Sequence, residues 1–327
     1  MPTSGTVGQT RFLVADIIDT AIGRCGVPPS KTSPEDLNKA LRALYLILVN
    51  YVNRSLNLWR IKRRYVTLIN GKTSYPLSST VVDVVDANHR VPATIDTVWA
   101  SSVGGTIYTT DLIDSRLPRM LGLHYTNNTV YNIALEASQD LVAWTPVSTI
   151  TSEGEAGLFW YEIDPTTSAR YYRIRETSAL AMVFTAIYIA QLYQDLPMYK
   201  INHDDYWSLP NKNFQGRPVQ YFFDKQRDPD MVLWPSPNAI LACLALRVRY
   251  HIEDVGDLTD ELDIPVRWYE SIVAELSLKL VVELPQADLK RYDILKSERD
   301  TTFEQASSSE TDGAPIYLAP NISGYTR

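Results

Sequence analysis

Hydrophobic and polar positions change their period twice along the chain. Leu13, Val14, Ile17, Ile18 and Ala21 recur at helical spacing with Asp16 and Asp19 opposite, and Gly23 and Gly26 end the pattern. A longer stripe of Leu37, Leu41, Leu44, Leu48, Val52 and Leu56 predicts an amphipathic helix over residues 34–57. Ser33-Pro34-Glu35-Asp36 starts it. The serine caps, the proline fits the first helical position, and two acids sit at the positive end of the dipole. From Tyr65 the period falls to two. Residues 65–69, the turn Asn70-Gly71 and residues 72–77 predict a β-hairpin, because both turn positions tolerate positive φ. Residues 81–85 predict a further strand.

Between residues 87 and 191 short strands alternate with Gly, Asn, Ser, Thr and Pro turns. The clearest are 95–100, 129–138, 158–163, 171–176 and 183–191, a spacing that predicts an antiparallel sandwich. Strands follow over 219–224 and 242–251, with a polar turn and Met231 to Pro237 between them. Helix then returns at Asp263-Ile264-Pro265, where Trp268, Ile272, Leu276 and Leu280 repeat every four residues. Pro285 must break or kink that helix. Leu289, Tyr292 and Leu295 carry a second segment to about residue 306. Past Ser307-Ser308-Ser309, prolines at 315 and 320 favour an extended tail over residues 312–327. The predicted class is α+β. N- and C-terminal helices form a bundle with a small antiparallel β region, and a jelly-roll-like β-sandwich is inserted.

Composition narrows the function. The 327 residues suit about two domains, and 45% hydrophobic with 21% charged residues is globular. The net charge of −7 argues against tight, sequence-independent nucleic-acid binding, which needs a basic surface. It leaves room for a ring through which DNA passes without sticking. Cys25 and Cys243 make neither a disulfide framework nor a zinc site, so a reducing compartment is the simpler reading. The first residues lack the basic and apolar regions of a signal peptide. The longest apolar stretch, residues 179–190, is short of the roughly 18–20 that a membrane span needs. The expectation is a soluble protein without membrane contact.

Chemistry is sparse. His89, His124, His203 and His251 show no metal-ligand spacing, and no phosphate loop, dinucleotide fingerprint or nucleophile elbow is present. No catalytic residue, metal or cofactor is expected. The acidic loop Glu253, Asp254, Asp257, Asp260, Glu261 and Asp263 lacks the order that wraps calcium, and a solvated loop explains it. Glu153, Glu155, Glu162 and Asp164 accompany Trp144, Trp160 and Tyr161 in the sandwich region. Acids beside aromatics can bind or cleave sugar, and a packed sandwich produces the same pattern. Arg60, Lys62, Arg63 and Arg64 form a basic cluster that can meet phosphate or an acidic partner, or complement a helix C-terminus.

Several pieces follow one order. They are the two N-terminal helices, Trp59-Arg60, Asn70-Gly71 and Tyr75-Pro76-Leu77. Later come Asp204-Asp205-Tyr206, Leu209-Pro210, Gly216-Arg217-Pro218-Val219-Gln220-Tyr221, Leu233-Trp234-Pro235-Ser236-Pro237 and Asp263-Ile264-Pro265-Val266-Arg267-Trp268. Over residues 8–86 and 192–327 this order resembles the head-to-tail adaptors of short-tailed bacteriophages, also called tail tubular protein A or tail accessory factor.

The resemblance implies a non-enzymatic virion protein of the tail or neck, assembled in the host cytoplasm. It would form a homo-oligomeric, dodecameric ring beneath the portal protein and extend the channel for genomic DNA. It would also receive nozzle and fibre proteins. The tail residues Pro315, Ile316, Tyr317, Leu318, Pro320, Ile322 and Tyr325 would dock on the portal. The domains expected are a discontinuous core, 1–87 with 192–327, and the insert 88–191. In the insert, Trp144-Thr145-Pro146-Val147, Phe159-Trp160-Tyr161-Glu162-Ile163 and residues 169–175 are similar to galactose-binding-like modules, with Trp144, Trp160 and Tyr161 as ligand-facing aromatics. The alternative reading is a carbohydrate-binding or cell-wall-degrading protein.

Overall fold

The computed structural model describes residues 13–54, 58–95, 97–102, 104–178, 180–238, 241–252 and 256–308. The extended tail therefore lies outside the described residues, as do Glu253 and Asp254 of the acidic loop. The chain divides into two compact units, one of residues 1–60 with 251–327 and one of residues 61–250. The boundaries expected from sequence, 87/88 and 191/192, fall inside two long strands, β3 and β11 below.

In chain order the helices are α1 (Val14–Arg24), α2 (Pro34–Asn53), α3 (His203–Ser208), α4 (Tyr269–Glu283) and α5 (Tyr292–Ser308). The strands are β1 (Ile61–Thr67), β2 (Ser74–Pro76), β3 (Val81–Ile95), β4 (Ala100–Ser101), β5 (Ile107–Arg116), β6 (Met120–Tyr125), β7 (Asn132–Ser138), β8 (Thr145–Thr151) and β9 (Gly157–Glu162). They continue with β10 (Ala169–Glu176), β11 (Phe184–Pro197), β12 (Tyr199–Ile201), β13 (Gln215–Gly216), β14 (Gln220–Asp224), β15 (Asp230–Trp234), β16 (Ser236–Pro237) and β17 (Cys243–Tyr250). The architecture is α+β and mostly β.

In the first unit α4 touches α1, α2 and α5. Ser33 caps α2 as expected: its hydroxyl accepts from Asp36 N–H at 3.2 Å, and Asp36 accepts from Ser33 N–H at 3.1 Å. The helix ends at Asn53, short of residue 57. Its buried face carries Ala40, Ala43, Leu44, Ile47, Leu48, Tyr51 and Val52, while α4 buries Ile272, Leu276 and Leu280. Trp268 and Tyr51 are fully buried, with ring centres 5.2 Å apart. Tyr51 donates to Glu275 at 3.0 Å, and burial first, then Glu275, pushes the phenol above its ordinary range. Arg60 belongs to this unit, where it pairs with Asp263 and donates to His251 O at 3.1 Å.

The second unit is built on a six-stranded sheet, β1-β17-β3-β11-β6-β9. A five-stranded sheet, β4-β5-β10-β7-β8, faces part of it. Leu121, Leu123, Tyr125 and Ile189 of the first and Ile133, Leu135, Tyr172 and Ile174 of the second share one core, which makes this part a β-sandwich. A four-stranded sheet, β12-β14-β15-β2, packs by Tyr75, Tyr221, Phe223, Met231 and Leu233 against Leu244, Leu246 and Val248 of β17. It is mixed, since β12 runs parallel to β14.

The expected hairpin of residues 65–77 does not form. The Asn70-Gly71 turn is present, with Gly71 at φ +75°, but β1 pairs with β17 and β2 with β15. A seven-residue register with β17 outweighs local pairing. Three strands of the sandwich, β5, β6 and β8, are absent from the sequence reading, and residues 97–99 are not strand.

Candidate functional site

The six-stranded sheet curls until its edge strands lie side by side. Among the described residues β1 shares a ladder with β17 alone and β9 with β6 alone, yet β1 and β9 touch. Side chains bridge the seam. Tyr65 donates to Glu162, Thr67 donates to Leu158 O, and Arg63 pairs with Glu162 at 3.1 Å. Tyr193 of β11 also donates to Glu162, at 3.3 Å. Burial alone would raise the Glu162 carboxyl, but bonds from Tyr65 and Arg63 outweigh it and hold the group below its usual range. The Tyr65 phenol is pushed up to about 12, by burial first and then by its bond to Glu162.

Behind the seam, Arg90 of β3 is 5% exposed and forks onto Asp195 with two bonds of 2.6 Å. Its guanidinium lies 3.6 Å from the centre of the Tyr193 ring and 5.1 Å from that of Tyr65. A buried charge needs this kind of pairing. Met120, Trp160, Ala190 and Cys243 form the apolar cluster on this face, with Tyr65, Leu158, Tyr188 and Tyr193 against it. Burial first pushes the Cys243 thiol up to about 12, so it is packed rather than reactive.

At one end the seam opens into a cavity of about 680 Å³. One wall is residues 64–70 of β1 and its turn, the other residues 155–159 leading into β9, with His124, Tyr188 and Leu241 between. Tyr65, Phe159 and Tyr188 are half-buried, so the rings keep exposed surface. Arg64, Lys72, His124 and Glu155 supply charge and hydrogen-bonding capacity. Among the described residues β1 and β9 share no ladder with each other, so their facing edges add backbone N–H and C=O groups to the walls. A second hollow of about 510 Å³ shares Arg64, Tyr65 and Phe159 and is lined also by Arg63, Glu153, Trp160, Tyr161 and Glu162.

The structure thus brings together Arg63, Arg64, Trp160 and Tyr161 with Glu153 and Glu162, as sequence grouped them in part. It does not present the aromatics as expected. Trp160 is 3% exposed and packs in the core. Tyr161 packs on the sandwich core, its hydroxyl 3.4 Å from that of Tyr125. Trp144 carries the Arg173 guanidinium 4.2 Å over its ring. The basic cluster is split: Arg60 is buried on Asp263 in the first unit, Lys62 is exposed, Arg63 pairs with Glu162, and Arg64 lines the cavity. Asp164 is an exposed partner of Arg119. His124, Phe159 and Tyr188 carried no site signal, because each sits in an ordinary strand pattern. Among the described residues no group of three or more metal-ligating side chains comes together, and no helix is long and apolar enough to cross a membrane.

No family model and no curated protein matches the chain. Solved structures similar to it include the family 32 carbohydrate-binding module of AlyQ in complex with 4,5-unsaturated mannuronic acid. It is 21% identical, the match covers 34% of this chain and 98% of that one, and the TM-score is 0.24. Another is the first such module of a family 31 glycoside hydrolase from Clostridium perfringens, 10% identical over 40% of this chain and 96% of that one, with a TM-score of 0.24. A third is the family 32 module of C. perfringens NanJ in complex with galactose, 11% identical over 42% and 95%, with a TM-score of 0.22. Against the adaptor expectation, these neighbours are named as carbohydrate-binding modules, not as phage connectors or portal-binding proteins.

Proposed function

We propose that the chain binds a saccharide, without cleaving it, in the cavity between β1 and β9. The cavity itself carries the reading. Its volume of about 680 Å³ lies within the roughly 300–1,000 Å³ of small-ligand sites. A sugar ring has an apolar C–H face and a rim of hydroxyls. Tyr65, Phe159 and Tyr188 offer ring surface to the first, and aromatic residues with polar tips suit such amphipathic contacts. Arg64, His124, Glu155 and the open strand edges offer donors and acceptors to the second.

Binding is favoured over hydrolysis by the acids at the cavity. Glycoside cleavage uses a pair of carboxyls flanking the scissile bond, and among the described lining residues Glu155 is the one carboxylate.

The test is calorimetric titration of the full chain with neutral and acidic mono- and oligosaccharides. His124 and Glu155 have no side-chain hydrogen bond or ion pair with another described residue, so their replacement spares the fold. The double variant His124→Ala, Glu155→Ala is expected to melt as the parent does and to lose about tenfold in affinity. Undiminished binding by that variant contradicts the location.

A further inference from the structure

Charge in the cavity is one-sided. Among the described residues lining it, Arg64, Lys72 and His124 are of basic type and Glu155 is acidic. Arg64 is the informative member. It is half-buried on β1 opposite Leu246, and among the described residues its side chain has no carboxylate partner and no hydrogen bond. Its neighbours differ. Arg63, on the opposite face of the strand, holds Glu162, and Arg90 forks onto Asp195. Standing at the cavity wall with no anion of its own, its guanidinium is available to one on a ligand. Its planar fork matches the two oxygens of a carboxylate. Lys72 stands exposed at the rim with its ammonium 5.2 Å from the Tyr75 ring centre, again without a carboxylate of its own.

Resting on the saccharide reading, we infer that the cavity selects an acidic sugar, one whose carboxylate is met by Arg64 with Lys72 beside it. Glu155 is exposed at the opposite wall, where its carboxylate accepts from hydroxyls and leaves Arg64 uncompensated. The chain's overall charge of −7 does not oppose this at physiological salt. Charges farther away than about 10 Å are largely screened at ~0.1 M, whereas a contact pair is not.

The test uses sugars that differ only in oxidation at C6: galactose against galacturonate, glucose against glucuronate, and the tetramers of galactose and of galacturonic acid. Each is titrated calorimetrically into the full chain, into Arg64→Gln and into Arg64→Lys. The acidic member of a pair is expected to bind about tenfold more tightly than the neutral one. Arg64→Gln should lower the affinity for the acidic sugar by more than that for the neutral one and so remove the preference. Arg64→Lys should retain part of the preference, because it keeps the charge without the fork. Equal affinities in the parent chain overturn the inference and leave saccharide binding standing. So does a preference that survives in Arg64→Gln, or a loss that is equal for both members of a pair. Binding of none of the probes counts against the saccharide reading and takes the inference with it.

Discussion

Gly122 shows how closely a single position is fitted. It lies mid-strand in β6, and a Cβ there would stand 2.9 Å from Cζ3 of Trp160. The Trp160 ring cannot step aside, because it is buried among Met120, Ala190 and Cys243. Gly122→Val should therefore destabilise the chain by about 1–3 kcal/mol, the usual effect of overpacking. Denaturant unfolding measures it, and a change within ~0.5 kcal/mol would mean that the ring has room to move. His89 gives a pH signature. It is 3% exposed, and neither ring nitrogen has a hydrogen-bond partner. Burial first, then the charge of Arg217, lowers its pKa and keeps it neutral. Below pH ~6.5 the unfolded chain binds a proton that the folded chain refuses. This contribution is thus complete above pH ~6.5 and is lost as pH falls toward the lowered value. His89→Leu should flatten the stability curve just below pH ~6.5, measured by urea unfolding at stepped pH. An unchanged slope would show that His89 does not titrate there.

At the scale of elements, sequence spoke most clearly where local rules decide. The N-cap of α2 was readable from four residues, because the cap and its partner lie within one turn. Ser33→Ala should cost about 1 kcal/mol of stability, and a melting temperature equal to the parent's would remove the cap from the account. The hairpin fails to form for the opposite reason. Asn70-Gly71 specifies a turn, but only distant partners decide which strands leave it, and β17 lies more than 170 residues away. Strand β6 escaped because Met120, Leu121 and Leu123 are all buried. It lies between two apolar clusters, so its sequence has no period of two, and Gly122 reads as a break. The cavity was legible only as scattered charge. Arg64 stood out as part of a basic run, but no local pattern shows that residues 64–70 face residues 155–159 across a seam.

At the scale of the molecule, the two long strands explain the organisation. β3 pairs with β17 through its first part and with β11 through its last. β11 then hands the sheet to β6. The six-stranded sheet therefore runs unbroken from the sandwich to β17, on which the four-stranded sheet packs, within residues 61–250. That continuity brings β9 back to β1 and creates the cavity. Composition argues against tight, sequence-independent DNA binding through the net charge of −7. The adaptor resemblance rests on the order of short Pro, Tyr and Trp motifs along the chain.

Hydroxyl-radical footprinting of the full chain tests the central claim most directly. Oxidation is measured with and without a saturating saccharide from the titrations above. Tyr199 and Trp207, 61% and 60% exposed and outside the lining of the cavity, serve as internal references. The account predicts protection at Tyr65, His124, Phe159 and Tyr188 with unchanged labelling at the two references. Protection confined to other aromatic residues, or unchanged labelling at all four, would contradict saccharide binding in the cavity between β1 and β9.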